Sequence, residues 1–218
     1  MNVGAAIAEI DAIFDAYNAP KHASTPGKVY ELYCLANTVE ILKSRGFKIR
    51  FVGTGLAFKA SGGKINSSDP YFEFWSPYEQ QKKFRLYTDI QFWSLGSQLL
   101  NAQNVVCNKK SGLHELDIVA VPAGVTGFPT NEQIALGIEC KSNGKFQKWI
   151  LKQVLGVRRE MSLLQPIGPS TLSVTGVVKV PVPAEPASEF WLCYVDHAGD
   201  NYAQSAEIFG IEFKNWEP

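Results

Sequence analysis

The segments HELDIVAV (114–121) and ALGIECKS (135–142) decide the fold of this chain, because both are apolar runs of strand length that carry ionisable side chains. They predict two neighbouring buried β-strands. Successive side chains of a strand alternate between faces, so Glu139 and Lys141 project from the same face. Asp117 lies on the first of the two strands. Burying these groups among apolar residues is costly unless they pair or bind a metal, so the pattern indicates a functional site.

Outward from these strands, apolar residues at helical spacing predict helices over residues 3–17, 27–45 and 145–164. The helix over 27–45 is apolar on two sides, which predicts that it is sandwiched between other elements. Period-two or apolar runs predict further strands at FKIRFVG (47–53), GLAFKAS (55–61), YFEFWS (71–76), KFRLYTDIQFW (83–93), TLSVTGVVKV (171–180), EFWLCYVD (189–196) and EIFGIEF (207–213). The first four of these are expected to form an antiparallel meander. PVPAEPAS (181–188) is too rich in proline to predict regular structure.

This order of elements favours an α/β fold in which helices flank a central mixed β-sheet, with additional antiparallel strands. The chain has 218 residues, of which 45% are hydrophobic, which is enough for one sizeable core. We therefore expect a single domain over residues 1–218.

The composition restricts the classes of function and location. Lys and Arg total 21 and Asp and Glu total 21, so any site for a polyanion must depend on local rather than overall charge. The four cysteines form no CxxC pair, which predicts reduced thiols in a cytosolic protein. The chain opens with no basic and apolar leader, and no uncharged run reaches the roughly 20 residues of a membrane span. We expect a soluble, cytoplasmic protein that does not associate with membranes.

The order of Asp117, a gap of about twenty residues, Glu139-x-Lys141 and a following helix resembles the motif of the PD-(D/E)xK nuclease superfamily. The resemblance covers approximately residues 27–164. It implies a restriction-endonuclease-like core there, followed by a strand-rich C-terminal extension over approximately 170–218.

The resemblance also implies a mechanism. Asp117 and Glu139 would ligate Mg²⁺ or Mn²⁺, and the backbone carbonyl of Cys140 would complete the metal ligands from the protein. Lys141 would orient the attacking water or help to deprotonate it.

Two more residues match positions that some members of this superfamily use. Glu31, near the start of the second predicted helix, resembles a helix glutamate that contributes a metal or water ligand. Glu40 is an alternative about half a helical turn away, so both cannot face one site. Gln153 follows Lys141 at a distance similar to that of a glutamine in some members.

The third predicted helix supplies local positive charge. Its cationic residues fall within a narrow arc opposite the apolar face, and they are Lys145, Lys148, Lys152 and Arg159. They could follow a phosphate backbone next to the site or form an ordinary solvated helix face. Arg158 lies off this arc and is expected to pair with an acid.

Together these features predict a Mg²⁺- or Mn²⁺-dependent endonuclease, with DNA favoured over RNA as its substrate and the choice between them left open by the sequence. The alternative is a catalytically inactive protein of the same fold that binds nucleic acid or a protein partner through the aromatic strands between 71 and 93. A hydrolase of small phosphorylated substrates is a third hypothesis. Symmetric cutting of a duplex would favour a homodimer.

Overall fold

A computed structural model describes residues 2–19, 21–22, 25–57, 62–142, 144–169, 179–185 and 188–218. Within these ranges the α-helices are α1 (Val3–Asp15), α2 (Pro26–Ser44), α3 (Leu95–Ala102), α4 (Lys109–Gly112), α5 (Lys148–Met161) and α6 (Ala203–Glu207). The β-strands are β1 (Lys21–His22), β2 (Lys48–Val52), β3 (Leu56–Ala57), β4 (Tyr71–Trp75), β5 (Lys83–Trp93), β6 (Leu113–Pro122), β7 (Leu136–Lys141), β8 (Leu163–Pro169), β9 (Lys179–Glu185), β10 (Glu189–Tyr194) and β11 (Ile211–Asn215). Short 3₁₀ helices cover Asn131–Gln133 and His197–Tyr202.

A seven-stranded mixed sheet forms the centre of the molecule, in the order β11-β10-β7-β6-β5-β4-β2. In this sheet the pairs β2–β4, β4–β5, β5–β6 and β6–β7 are antiparallel, whereas the pairs β7–β10 and β10–β11 are parallel. The expected α/β class and mixed sheet are therefore confirmed. The strand β7 lies inside the sheet, between β6 and β10.

Helices cover both faces of this sheet and define two cores. One core contains α1, α2 and sheet residues such as Ile118 and Ile138. The other contains α5 and residues such as Val119 and Leu192. The helix α2 buries residues on all sides because it packs between α1 and the sheet, which confirms that it is sandwiched.

The alternation of side chains shifts by one residue in the middle of β5 and β6. Leu116 and Val119 belong to the same core although they are three residues apart, and strict alternation would place them on opposite faces. In β5 the shift coincides with Asp89, a buried residue with a φ of 54°. Side chains other than glycine adopt this left-handed conformation rarely, although Asp tolerates it better than most. Asp89 lies opposite Asp117 in the register that pairs Ile90 with Leu116.

The aromatic strands β4 and β5 use their rings for packing. The rings of Phe74 and Phe84 stack with centroids 5.4 Å apart, and those of Tyr71 and Tyr87 lie 5.3 Å apart. Phe72 packs against Phe14 of α1 at 5.5 Å. These ring contacts pack β4 against α1 and link β4 to β5.

Several predicted elements differ from the structure. The predicted helix over 145–164 is shorter, and its last residues belong to β8. The prediction of irregular structure for 181–188 is wrong for 181–185, which pair with β8 in a separate two-stranded sheet. Within the described ranges β8 is the one strand that pairs with β9, and proline is tolerated in strands with an unpaired edge, where a missing N–H breaks no ladder bond.

Two other strand predictions are correct only in part. In EIFGIEF the left-handed Gly210, with a φ of 69°, separates α6 from β11, so the first residues are not strand. In GLAFKAS the residues Leu56–Ala57 pair in parallel with β1 instead of joining the meander, and residues 58–61 lie outside the described ranges. Most of the strand predicted at 171–180 also lies outside them. Among the described helices, none is both long and apolar enough to cross a membrane.

Candidate active site

A cavity of about 590 Å³ opens where the N-terminal turn of α2, the end of β7 and the first turns of α5 meet. Glu31, Lys141 and Gln153 line it, together with Cys140 and Lys145. Five of the predicted site residues, which come from three distant segments of the chain, thus border one space. The volume lies within the roughly 300–1,000 Å³ of typical small-ligand clefts.

The start of α2 is fixed by local sequence. Thr25 is the N-cap, and its hydroxyl accepts a hydrogen bond from the backbone N–H of Lys28 at 3.3 Å. Pro26 occupies the first helical turn, where its missing N–H costs nothing. This cap places Lys28 and Glu31 in the first two turns, next to the cavity.

Glu139 and Lys141 form the predicted same-face pair on β7. The ammonium group of Lys141 lies 2.7 Å from Oε2 of Glu139, and the glutamate is 5% exposed. An ion pair on an exposed sheet edge would be an ordinary surface feature. This pair instead lies on a central strand, where the desolvation of both charges is costly.

Asp117 lies on the neighbouring strand and contacts the same segment. Its Oδ2 accepts a hydrogen bond from the backbone N–H of Cys140 at 2.6 Å. Cys140 points its side chain to the other face, where its thiol meets those of Cys34 and Cys193 beneath α2. Burial raises the pKa of all three thiols, which keeps that side of β7 uncharged.

The structure adds Lys28 and Asp89, which the sequence interpretation missed. Nζ of Lys28 lies 2.6 Å from Oε2 of Glu31 and 2.6 Å from Oδ1 of Asp89. Lys28 therefore links α2 to β5 at the point where β5 changes its alternation. An aspartate in the middle of a strand is statistically unfavoured, and this was the one signal in the sequence that pointed to Asp89.

The carboxylates of this region raise one another's pKa. Burial, reinforced by the charge of Asp117, raises the pKa of Glu139 to about 7. Burial also raises the pKa of Glu31 to about 7; the hydrogen bond from Lys28 opposes this rise, and the charge of Asp117 adds to it. Burial raises the pKa of Asp117 and of Glu115 as well. Five carboxyl groups, counting Asp89, thus face two lysines.

The pKa values of the two lysines are raised as well, which favours the charged form of a lysine, whereas a raised pKa favours the neutral form of a carboxyl group. Burial alone would lower the pKa of Lys141, but the charges of Glu139 and Asp117 raise it above its ordinary value. The pKa of Lys28 is raised in the same way by Asp89 and Glu31, against the effect of burial. Both ammonium groups are therefore protonated at neutral pH, where Glu31 and Glu139 are only partly ionised.

The donor atoms fit a hard divalent cation in kind and in charge. Mg²⁺ and Mn²⁺ bind carboxylate and carbonyl oxygens, and the site offers such oxygens with an excess of negative charge. In the described ranges, however, no group of three or more His, Cys, Asp and Glu side chains is arranged to hold a metal ion. Glu31 and Glu139 are instead paired with lysine ammonium groups.

The remaining predicted residues are Glu40, Arg158 and the cations of the third predicted helix, and they lie outside the group of paired charges. Glu40 lies on the surface and pairs with Lys43 at 3.2 Å, so Glu31 is the α2 glutamate at the cavity. Contrary to expectation, Arg158 pairs with no acid among the described residues: its buried guanidinium donates to the carbonyl of Phe209 at 2.9 Å and to Oγ of Ser188 at 2.8 Å. The exposed cations in and before α5 are Lys145, Lys148, Lys152 and Arg159.

The raised carboxyl pKa values predict how stability depends on pH. Glu31 and Glu139 have folded pKa values near 7, above their ordinary 4.5, so the folded state binds more protons between these values. The free energy of unfolding should therefore fall as pH rises from about 4.5 to 7. Scanning calorimetry in EDTA should show a Tm decrease on the order of 5 °C between pH 5.5 and 7.5.

A double variant tests the origin of this slope. Glu31→Gln with Glu139→Gln should flatten the dependence of Tm on pH, because neither amide titrates. Glu40→Gln, on the exposed part of the same helix, is the matched control and should keep the wild-type slope. An unchanged slope in the double variant would show that the pH dependence arises from other groups.

The chain matches no protein-family model, no curated protein and no solved structure.

Proposed function

We propose that this protein is a metal-dependent endonuclease of the PD-(D/E)xK type that hydrolyses phosphodiester bonds in DNA. The observation that carries the proposal is the buried group of Asp117, Glu139 and Lys141 on two central strands, next to a cavity that is lined by Lys141 and Glu31. Carboxylates that raise one another's pKa beside a protonated lysine are typical of functional sites.

The order of the surrounding elements supports a restriction-endonuclease-like core. After α2 the chain passes through β2, β3 and β4 to the antiparallel strands β5, β6 and β7, with α3 and α4 between β5 and β6, and α5 then packs on the face of the sheet opposite α2. Asp117 lies on β6, and Glu139 and Lys141 lie at the end of β7.

In the proposed site, Asp117, Glu139 and the carbonyl of Cys140 would hold Mg²⁺ or Mn²⁺. The bound cation would supply Lewis-acid stabilisation of the negative charge that develops on the phosphate. Binding would also relieve the repulsion among the carboxylates, because their ionised forms would then be paired with a divalent charge.

The side chains of the chain itself have distinct roles in this proposal. Lys141 is protonated, so it donates hydrogen bonds and stabilises charge on the scissile phosphate, and does not act as a base. Glu31, with a pKa of about 7, is matched to accept a proton from the attacking water near neutral pH. Gln153 offers an amide at the cavity wall that can orient this water. Outside the cavity, the cations of α5 would bind neighbouring phosphates.

A cleavage assay tests the proposal directly. Purified protein is incubated with single-stranded DNA, double-stranded DNA, RNA and free nucleotides in Mg²⁺, Mn²⁺ or EDTA. We expect DNA to be cut internally with either metal and not in EDTA. Absence of cleavage of every polymer in both metals would refute the nuclease, and hydrolysis restricted to the nucleotides would favour a small-substrate phosphatase. Symmetric cutting of duplex DNA would support a homodimer.

The lysine ion pairs favour one alternative, a protein of this fold that binds nucleic acid without cutting it. Lys28 and Lys141 already neutralise Glu31, Asp89 and Glu139, as they would in a site that needs no metal. Differential scanning fluorimetry separates the two proposals. A nuclease should gain about 2–3 kcal/mol of stability from Mn²⁺ at about 100 times its Kd, whereas the alternative predicts no gain and DNA binding that survives Asp117→Asn.

A further inference from the structure

We infer that the first turns of α5 form a binding surface for an unpaired nucleotide strand, in which the indole of Trp149 stacks on a base beside the scissile phosphate. The inference rests on the proposed function and specifies its substrate class: single-stranded nucleic acid, or a duplex with an unpaired nucleotide at the cleavage point.

Trp149 is exposed although it lines the cavity of the candidate site. Its side chain is 56% exposed, among the most exposed of the large hydrophobic residues in the described ranges. The indole N–H donates to Oε1 of Gln147 at 3.0 Å, so the polar edge of the ring is satisfied and its orientation is restrained. Within the described ranges, no other ring or cation packs against its face. Such a ring offers an oriented apolar surface that is open to a base.

A glycine on the same helix face provides independent support. Gln153 and Gly156 follow Trp149 at i+4 and i+7, so the three residues form one stripe along α5. Gly156 is exposed, and apart from the helix's own backbone and the two chain neighbours no atom of the described residues lies within 4 Å of the position that a Cβ would occupy there. Glycine in an open helix interior is destabilising relative to alanine, and packing among the described residues does not require it here. Close approach of a ligand to the helix backbone accounts for it.

The charges beside this stripe match a phosphate backbone. Lys148, Lys152 and Arg159 lie on one side of it at helical spacing, and all three are exposed. Within the described part of the chain, none of them forms a salt bridge with a carboxylate. An aromatic platform with a parallel row of cations is the combination that binds single strands, because each nucleotide presents both a base face and a phosphate.

The surface is continuous with the proposed chemistry. Trp149 and Gln153 border the same cavity as Lys141 and Glu31. A base stacked on Trp149 would therefore place an adjacent phosphate close to Lys141. Bases within a duplex are stacked on each other and cannot use this platform unless one of them is unpaired.

Fluorescence anisotropy in EDTA tests the inference by binding, independently of cleavage. The probe is a short fluorescein-labelled DNA strand, with the same sequence as RNA and as duplex DNA for comparison. Trp149→Ala should weaken single-strand binding about 5- to 100-fold, the usual effect of losing one stacked base. It should leave duplex binding nearly unchanged, and Trp149→Phe should restore most of the affinity. The RNA arm establishes which sugar the surface accepts.

Three comparisons complete the test. Tyr78→Ala removes an aromatic side chain that is 95% exposed far along the chain, and it should bind like the wild type. Gly156→Leu should weaken binding without lowering Tm, because the site has room for the side chain and leucine favours helix. In a strand whose bases are replaced by abasic positions, Trp149→Ala should have no effect.

The outcomes separate this inference from the proposed function. The stacking surface is refuted if Trp149→Ala binds single strands as tightly as Tyr78→Ala does. It is also refuted if Trp149→Ala lowers the affinity for abasic strands as much as the affinity for normal strands. Either result holds even where the wild type cleaves DNA. If no polymer is cleaved in Mg²⁺ or Mn²⁺ but binding depends on Trp149 and on the bases, the nuclease is refuted and the single-strand surface is retained.

Discussion

Lys141→Ala should lower the rate of metal-dependent DNA cleavage by about 10²–10³-fold or more, because it removes the protonated group proposed to stabilise charge on the phosphate. The loss should be in kcat rather than in KM, since the interaction strengthens in the transition state. Asp117→Asn should lower the rate to a similar extent by removing an anionic ligand of nearly the same shape. The measurement is cleavage of a labelled oligonucleotide in Mg²⁺ under single-turnover conditions.

The control for charge loss is Lys43→Ala. Lys43 pairs with Glu40 on the surface of α2, away from the cavity, so this variant should cleave at the wild-type rate. Lys141→Ala also leaves Glu139 without its partner, and circular dichroism should establish that the variant is folded. A folded Lys141→Ala variant that cleaves as fast as Lys43→Ala would refute the assigned role of Lys141.

Trp191→Ala should produce the largest loss of stability among the variants considered. Trp191 lies on β10 with no exposed surface, and its ring meets that of Trp216 edge-on at 6.2 Å. Arg45 and Lys214 contribute cations 5.3 Å and 5.1 Å from the ring centroid. Truncation leaves a cavity in the core between the sheet and α2, at a cost of about 3–5 kcal/mol in the free energy of unfolding.

This loss should appear as a fall in Tm of roughly 10 °C or more by scanning calorimetry. Trp149→Ala makes the same chemical change at an exposed position, and its effect on the free energy of unfolding should stay within about 0.5 kcal/mol. Equal shifts for the two variants would show that burial of Trp191 contributes little to stability.

The features that the sequence predicted correctly depend on local periodicity. Glu139 and Lys141 share a face because they are two residues apart on a strand, and no knowledge of the rest of the fold is needed. The two-sided apolar pattern of α2 likewise predicted its sandwiched position. Helical spacing indicated that Glu31 and Glu40 could not both face one site, and in the structure Glu31 lines the cavity whereas Glu40 pairs with Lys43.

The features that were missed depend on pairing between distant segments. Lys28 and Asp89 are 61 residues apart, and nothing local to either residue indicates that they meet. Asp89 also lies in a run that otherwise matches a regular strand, so its left-handed backbone was hidden by the alternation around it. The strand β9 was missed for a related reason, because the effect of its prolines depends on which edge is paired.

The position of β7 also has a consequence for the order of assembly. Its neighbour β10 begins at Glu189, nearly fifty residues after Lys141. During synthesis on the ribosome, β6 is available to pair with β7 well before β10 has emerged. Until then β7 is an open edge, with backbone groups free to pair with another chain. The strand that carries Glu139 and Lys141 is thus paired on both sides only after β10 has been synthesised, so a nascent chain that ends before residue 189 leaves one edge of β7 without its partner strand.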